Sequence, residues 1–265
     1  MRKSSYPSDL SDTEWRTLEP LLGGLSGRGR ERRWSTRTVV DAIFYVLKTG
    51  CPWRYLPTDF PPWQTVFYHF RQWQQQGRWF KAHEALRRAT REQAGRHPDP
   101  SAAVLDSQSV KTTAEGARSN GYDGHKKVKG RKRHVLVDTL GLLLSVCITP
   151  ADVGDRRGAK ACLGGKQVFL PRLEKIWADA NYTGADLAQT CAAAGWELEI
   201  VKRPQKRFEV QPKRWLVERT LAWWLKCRRL QVDHERKPQT GEAFIYLAMS
   251  RLMLRRLAAK PKVAG

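Results

Sequence analysis

The stretch AAVLD at residues 102–106 gives the first indication of the fold class of this chain. Four consecutive apolar residues between polar neighbours predict a short buried strand that ends at the carboxylate of Asp106. The stretch KIWAD at residues 175–179 has the same pattern and ends at Asp179. An aspartate after a strand is more often a turn former or a helix cap. If the two strands are neighbours in one sheet, however, the two carboxylates can converge.

The segments around these two stretches alternate between strand and helix patterns. Three further apolar runs predict strands, and Gly141 lies between the first two, as expected for a hairpin. A hairpin followed by alternating strands and helices predicts an α/β fold, with a mixed sheet flanked by helices. The further predicted strands are 134–138, 142–148 and 198–201, and the predicted helices are 157–163, 186–194, 215–229 and 242–259.

The N-terminal part of the chain predicts helices only. Ser11 and Glu14 have the spacing of a capping box, and apolar residues at helical spacing follow them. The segment 95–100 contains one glycine and two prolines, which makes it the best candidate for a linker. We therefore expect an all-α domain at 1–97 and an α/β domain at 98–265.

The charge of the chain predicts its partner. It has 48 Lys and Arg residues against 26 Asp and Glu residues, a formal net charge of +22. A charge this large repels itself unless a polyanion neutralises it. The sequence contains no apolar run long enough to span a membrane and no obvious basic amphipathic helix, so we expect no membrane partner and a cytoplasmic location. Nucleic acid is the partner that the charge favours.

One block of cations lies between the two predicted aspartates. Six of the eight residues at 126–133 are basic, which predicts an edge that binds DNA phosphates beside the candidate carboxylates. The alternative is an edge strand whose charges only interact with solvent and prevent aggregation. The six basic residues are Lys126, Lys127, Lys129, Arg131, Lys132 and Arg133.

Two other places carry candidate DNA contacts. The third predicted helix has Gln64 and Arg71 at polar positions, which suits reading of the major groove by a helix-turn-helix-like domain. A plain helical bundle that serves dimerisation is the alternative. Arg214 and Arg219 flank Glu218. Arg214 is of the kind that orients a phosphate or pairs with a carboxylate, and the sequence does not separate these roles.

Chemistry on DNA would require oxygen ligands from this chain. Transfer at a phosphodiester concentrates negative charge around phosphorus, and two divalent ions roughly 4 Å apart can neutralise it. We expect Asp106, Asp179 and Glu218 to supply the metal-binding carboxylates. The cysteines and histidines show no zinc-ligand spacing. The competing aspartates that periodicity does not exclude are Asp138, Asp152 and Asp155.

Several ordered blocks carry a family resemblance that covers nearly the whole chain. They are LSDTEW at 10–15, CPWRYLP at 51–57, DSQSVKT at 106–112, the basic run 124–134 with VDTLG at 137–141, ADANY at 178–182 and RWLVERTLAW at 214–223. Together they resemble the DDE transposases of the insertion-sequence-five family. The first two resemble that family's DNA-binding head, and the others resemble its catalytic domain.

The resemblance implies an RNase H-like catalytic domain in which Asp106, Asp179 and Glu218 hold Mg²⁺ or Mn²⁺. It also implies binding of double-stranded DNA at terminal inverted repeats, excision, and strand transfer to target DNA. Such enzymes usually act as a homodimer or a higher oligomer. The family pattern also places a Tyr and a Lys around the glutamate, where this chain has Gln211 and Leu225. DNA contacts or hairpin intermediates that need those two side chains are not implied here.

Three functions compete at this point. The leading hypothesis is a transposase that hydrolyses the 3′ ends of its element and joins them to target DNA. The second is a non-catalytic DNA-binding regulator or a decayed transposase, against which the three retained carboxylates argue. The third is a structure-selective nuclease, and a dedicated end-binding head favours the transposase over it.

Overall fold

The computed structural model describes residues 6–23, 33–114, 119–201 and 215–259. No helix in these ranges is long and apolar enough to cross a membrane. The helices are α1 (Asp12–Leu22), α2 (Thr36–Thr49), α3 (Trp63–Gln75), α4 (Arg78–Gln93), α5 (Asp155–Leu163), α6 (Ala185–Ala193), α7 (Trp215–Leu225) and α8 (Pro238–Ala258). The strands are β1 (Ala102–Lys111), β2 (Gly121–Asp123), β3 (Val128–Asp138), β4 (Leu143–Pro150), β5 (Lys175–Ala178) and β6 (Glu197–Ile200).

Local capping explains where the first helices begin and end. The Ser11 side chain accepts a hydrogen bond from the Glu14 N–H, and the Glu14 carboxylate accepts one from the Ser11 N–H, which confirms the predicted capping box of α1. Ser35 caps α2 in the same position. Gly50 ends α2 at φ 73°, a left-handed conformation that favours glycine. These signals are short-range, so the sequence predicts them well.

The strands form one mixed sheet in the order β2-β3-β1-β5-β6, with β4 also paired to β3. β1 pairs antiparallel with β3 and parallel with β5, and β5 pairs parallel with β6. The hairpin between β3 and β4 turns at Gly141, whose φ is 75°. The predicted mixed sheet flanked by helices is therefore confirmed.

Two strands are longer than the sequence predicts. The β1–β3 ladder continues from Ala103↔Asp138 to Lys111↔Gly130, so Asp106 lies in the middle of β1. The prediction that Asp106 ends its strand is wrong. The physical reason is that β3 supplies backbone partners to the polar residues beyond Asp106, whereas an apolar run marks only the part of the strand that is buried on both faces.

Alternate residues of the sheet face two different buried clusters. On one face, Val104, Val135 and Trp177 belong to a cluster that includes residues of α7, α8 and the N-terminal helices. On the other face, Leu105 and Ile176 belong to a cluster under α5 and α6. Because side chains alternate along a strand, successive residues of β1 face opposite sides of the sheet and therefore contact different helices.

The helix α8 connects the C-terminal segment to the N-terminal helices. It packs against α4, α1 and α2 as well as against β4. The rings of Phe70 on α3 and Phe244 on α8 stack with centroids 4.8 Å apart. One cluster of buried residues thus includes both sides of the expected boundary at residues 97 and 98. The division into domains 1–97 and 98–265 stays a prediction.

A buried ion pair joins α4 to the sheet. Arg91 pairs with Asp138 at the end of β3, and both side chains are almost fully buried. The other oxygen of Asp138 accepts hydrogen bonds from the N–H groups of Leu140 and Leu142, at 2.8 and 2.7 Å. Arg91 also donates to the backbone oxygen of His97 at 2.7 Å. The pair therefore fixes α4, the segment after it and the hairpin turn together.

Replacing Asp138 by alanine should destabilise the fold strongly. The variant leaves the Arg91 guanidinium buried without its partner, and breaking a buried pair in this way typically costs about 3–5 kcal/mol. The control is Asp186→Ala, because Asp186 forms only exposed ion pairs with Arg156 and Lys160 and should cost less than about 1 kcal/mol. Urea unfolding measures both values, and equal losses in the two variants would contradict a structural role for the Arg91–Asp138 pair.

Candidate active site

Asp106 and Asp179 lie beside each other on one face of the sheet. Val104 pairs with Trp177 in the parallel ladder, and each aspartate follows two residues later along its own chain. Asp179 comes directly after β5 with an extended backbone, so its side chain continues the alternation of the strand. Since neighbouring strands are about 4.8 Å apart, this register puts the two residues at neighbouring positions on the sheet. The position of Asp179 at a strand end is confirmed.

The third predicted carboxylate is on a helix over the same face. α7 packs against β1 and β3, and Glu218 lies exposed in its first turn, next to the buried Val217. In the described ranges of the chain, no group of three or more His, Cys, Asp or Glu side chains could hold a metal ion. The structure therefore brings Asp106 and Asp179 together but does not bring Glu218 into a three-carboxylate cluster with them.

The aspartate pair fits a hard divalent cation in its donor chemistry. Mg²⁺ prefers oxygen ligands and usually binds through one or two carboxylates while it retains waters. The hydroxyl of Tyr182 is buried near the Ser107 side chain. Burial, and then the charges of Asp106, Asp155 and Asp179, raise the pKa of Tyr182 well above its usual range. A neutral buried hydroxyl beside these carboxylates is suited to hydrogen-bond a carboxylate or a metal-bound water.

A polar network supports Asp106 from the opposite face of β1. The Asp106 carboxylate accepts a hydrogen bond from the Ser107 N–H at 2.7 Å. The Ser107 hydroxyl donates to Asp155 at 2.8 Å, and the ammonium group of Lys132 lies 3.2 Å from the same Asp155 oxygen. Asp155, a competing candidate in the sequence, is therefore engaged in an ion pair. Sequence patterns did not identify Ser107 or Tyr182 as parts of this site, and they assigned Lys132 to DNA binding rather than to an ion pair with Asp155, although each residue lies within a quoted block.

The basic block 126–133 divides into an exposed half and a buried half. Lys126, Lys127 and Lys129 are exposed, near the turn between β2 and β3. Arg131, Lys132 and Arg133 are buried, because β3 is a central strand with neighbours along both edges. The prediction that these last three residues form a DNA-binding edge is wrong, and so is the alternative of a solvated edge strand.

The buried arginines of this block donate hydrogen bonds to other groups inside the protein. Arg131 donates to Asp233 and to the backbone oxygen of Glu235, the latter at 2.7 Å. Arg133 donates to the backbone oxygen of Leu230 at 2.9 Å and to the Gln108 side chain at 3.2 Å. These bonds tie the segment after α7 to the centre of the sheet.

Of the other predicted DNA contacts, three lie in described segments. Gln64 and Arg71 are exposed on α3. Arg219 is half-buried, donates to the backbone oxygen of Leu140 at 2.9 Å, and lies over the rings of Trp215 and Trp223, 4.3 and 4.8 Å from their centroids. Arg214 lies outside the described residues, as does Gln211.

The tryptophans after Glu218 divide between core and surface. Trp224 is fully buried, whereas Trp223 is partly exposed and also contacts Arg256 on α8, whose guanidinium carbon is 4.5 Å from the ring centroid. Trp215 is 43% exposed. The helix that carries Glu218 therefore presents a row of alternating aromatic and cationic side chains at its surface, next to the glutamate.

Comparisons with known proteins match most of the chain. The family described as transposase DDE domain matches residues 97–253, and the family described as putative transposase of the IS4/5 family matches residues 10–83. An uncharacterized 16.2 kDa protein of insertion element IS402 from Burkholderia cepacia is 34% identical over 116 residues, which are 41% of this chain and 77% of that protein.

A second protein from Burkholderia cepacia, named putative transposase for insertion sequence element IS402, is 31% identical over 132 residues. These residues are 44% of this chain. The chain spans 60% of that relative's length.

The Asp123 carboxylate beside this site should make stability depend on pH. Burial opposes its ionisation, but hydrogen bonds from the Ser109 hydroxyl and the Lys126 N–H, together with the charge of Lys132, lower its pKa from 3.8 to about 2. Because the folded pKa lies below the unfolded one, the stabilisation is complete above about pH 4 and is lost as the pH falls towards 2.

Asp123→Asn should therefore unfold at lower urea concentration than the unmodified chain at pH 7, and the difference between the two should shrink below about pH 4. Urea unfolding from pH 7 to pH 3 measures this difference. A difference in unfolding free energy that stays constant, or grows, over the acid range would contradict a stabilising charge at Asp123.

Proposed function

We propose that this chain, which belongs to the family of transposases with a DDE domain, binds the terminal inverted repeats of an insertion sequence, cleaves the element ends and joins them to target DNA. The observation that carries the proposal is that Asp106 and Asp179 each follow the last β1–β5 ladder pair, Val104 and Trp177, by two residues inside the matched domain. Carboxylates held on a rigid sheet are the donors that phosphoryl transfer at DNA requires.

In the proposed site, Asp106, Asp179 and Glu218 bind Mg²⁺ or Mn²⁺. Bound metal would neutralise the negative charge around phosphorus and would activate the attacking hydroxyl or water. The sheet fixes the positions of Asp106 and Asp179, while Ser107 orients the Asp106 carboxylate through its N–H. Glu218 is exposed and outside the pair, so we expect the start of α7 to move towards the aspartates when DNA and metal bind.

The exposed cations define the proposed path of double-stranded DNA. Lys126, Lys127 and Lys129 extend from the turn that precedes β3, and the Lys126 ammonium group lies 3.3 Å from the Ser107 carbonyl, beside Asp106. They would bind phosphates close to the cleaved bond. Gln64 and Arg71 on α3 would contact the inverted repeats. We further propose a homodimer or higher oligomer that acts on DNA in a bacterial cytoplasm.

One observation favours a second candidate function. Glu218 does not cluster with the two aspartates in the described part of the chain. A non-catalytic DNA-binding regulator, or a decayed transposase, would have the same cationic surface without an assembled metal site. The two functions differ in whether the unmodified chain cleaves DNA.

Substitution of the three carboxylates tests the proposal. Asp106→Asn, Asp179→Asn and Glu218→Gln should each lower cleavage and joining of labelled element-end DNA in Mg²⁺ by at least on the order of 10²-fold, the scale of losing a group that stabilises charge in a transition state. DNA affinity should change little. The control is Glu197→Gln, an exposed carboxylate paired with Lys175. Binding without cleavage by the unmodified chain would instead identify the regulator.

The exposed half of the basic block should set the salt dependence of DNA binding. Lys127→Gln combined with Lys129→Gln should reduce the slope of log affinity against log salt by about 1–2, because each phosphate contact contributes about 0.9. Fluorescence anisotropy with a DNA duplex at several salt concentrations measures the slope. Arg131→Gln, by contrast, should lower unfolding stability because Arg131 is fully buried and bonded internally. An unchanged slope in the double lysine variant would remove this block from the DNA path.

A further inference from the structure

A cationic cavity lies where α2 meets α7 and α8, outside the aspartate pair. Its volume is about 160 Å³, and Phe44, Leu47 and Ala248 form apolar parts of its wall. Four basic side chains line it, and none of the described residues that line it is acidic. The four basic residues are Lys48, Lys226, Arg251 and Arg255.

Three of these four positive charges have no carboxylate partner within the described part of the chain. Arg251 forms an ion pair with Glu14, so its charge is compensated. Lys48 donates to the backbone oxygen of Lys226 at 2.9 Å, which directs its ammonium group towards the end of α7 without neutralising it. Lys226 and Arg255 are exposed. Positive charges held this close together repel one another unless an anion joins them.

Two further groups in the cavity support an anionic ligand. The Ser8 side chain is 5% exposed, lines the cavity, and its hydroxyl has no hydrogen-bond partner among the described residues. A buried unpaired hydroxyl is costly, so a ligand oxygen that bonds to it would be favoured. Burial raises the pKa of the Cys227 thiol, and the charges of Lys48, Arg255 and Arg251 oppose that rise. Cys227 and these three cations all line the cavity.

The surface of α7 connects this cavity to the proposed site of chemistry. Lys226 follows Glu218 by eight residues, which corresponds to about 12 Å along a helix. Arg219 over Trp215, and Arg256 over Trp223, provide positive charge between the two positions. Phosphates of one DNA strand are spaced about 3.4 Å apart along the duplex axis, so this distance spans roughly three to four phosphates.

We propose that the cavity is a phosphate-binding site, and that its occupant is a backbone phosphate of the DNA strand that passes Glu218. Lys48, Lys226 and Arg255 contribute charge, and Ser8 donates a hydrogen bond to a phosphate oxygen. The DNA source of the phosphate rests on the proposed function, whereas the phosphate chemistry rests on the cavity itself. Since α2 and α8 both line the cavity, the strand would contact the N-terminal helices and the DDE domain at one place.

Paired variants with equal charge loss test the site. Lys226→Gln with Arg255→Gln removes two cavity cations that are exposed, so folding should be retained. Lys81→Gln with Arg96→Gln removes two exposed cations that do not line the cavity. The affinity of each protein for a DNA duplex is measured between about 50 and 200 mM salt. The cavity pair should reduce the salt slope by about 1–2, and the control pair should leave it within error.

A neutral variant separates the hydrogen bond from the charge. Ser8→Ala should weaken DNA binding on the order of tenfold, because a hydrogen bond to a charged group is lost, while the salt slope stays unchanged. A second arm records thermal unfolding in inorganic phosphate and in chloride at equal ionic strength. Because the proposed site binds phosphate groups, inorganic phosphate should raise the Tm of the unmodified chain more than that of the cavity pair, and equal shifts would contradict a phosphate site in the cavity.

The outcomes decide separately between the cavity and the proposed function. Equal salt slopes in the cavity pair and the control pair would overturn the DNA phosphate site, even if the unmodified chain cleaves element ends. A salt slope that falls only in the cavity pair, together with no cleavage of element ends by the unmodified chain in Mg²⁺, would support the phosphate site and reject the proposed enzyme activity. Stabilisation by inorganic phosphate that the cavity pair loses, with unchanged DNA slopes, would overturn DNA as the source.

Discussion

The pairing of β1 with β3 along one edge and with β5 along the other positions the helices and the candidate carboxylates. β3 binds one edge over nine residue pairs, and β5 binds the other edge only as far as Val104 and Trp177. The β1–β5 ladder therefore ends just before Asp106 and Asp179, which occupy neighbouring positions beyond it. The long β3 ladder keeps Asp106 inside a rigid strand, and α7 covers the same face.

Burial of charge is the second consequence of that sheet. Arg131 and Arg133 lie in the central part of β3, where they are buried, and they donate hydrogen bonds to groups on the segment that follows α7. The buried ion pair of Arg91 and Asp138 likewise joins α4 to the hairpin of β3 and β4. Buried charges require such partners because their desolvation is costly. Some of the 48 Lys and Arg residues therefore stabilise the fold through internal partners. Only the exposed cations remain available to bind DNA phosphates.

The sequence predicts those features that depend on near neighbours along the chain. The capping box of α1 and the turn at Gly141 are local, and both are confirmed. The lengths of β1 and β3, and the burial of Arg131, depend on partners far away in sequence. Asp233, the partner of Arg131, is 102 residues away in the sequence, for example. Periodicity contains no information about such partners, nor about a cavity built from three separate helices.

Anomalous diffraction from crystals of the chain soaked in Mn²⁺, compared with crystals of Asp106→Asn, would show whether Asp106 and Asp179 bind a metal ion. The expected result is a manganese peak within coordination distance, about 2–2.5 Å, of oxygens of Asp106 and Asp179 in the unmodified protein, and no such peak in the variant. Manganese bound only at other carboxylates, or a peak that persists unchanged in Asp106→Asn, would contradict the assignment of this strand pair as the metal site.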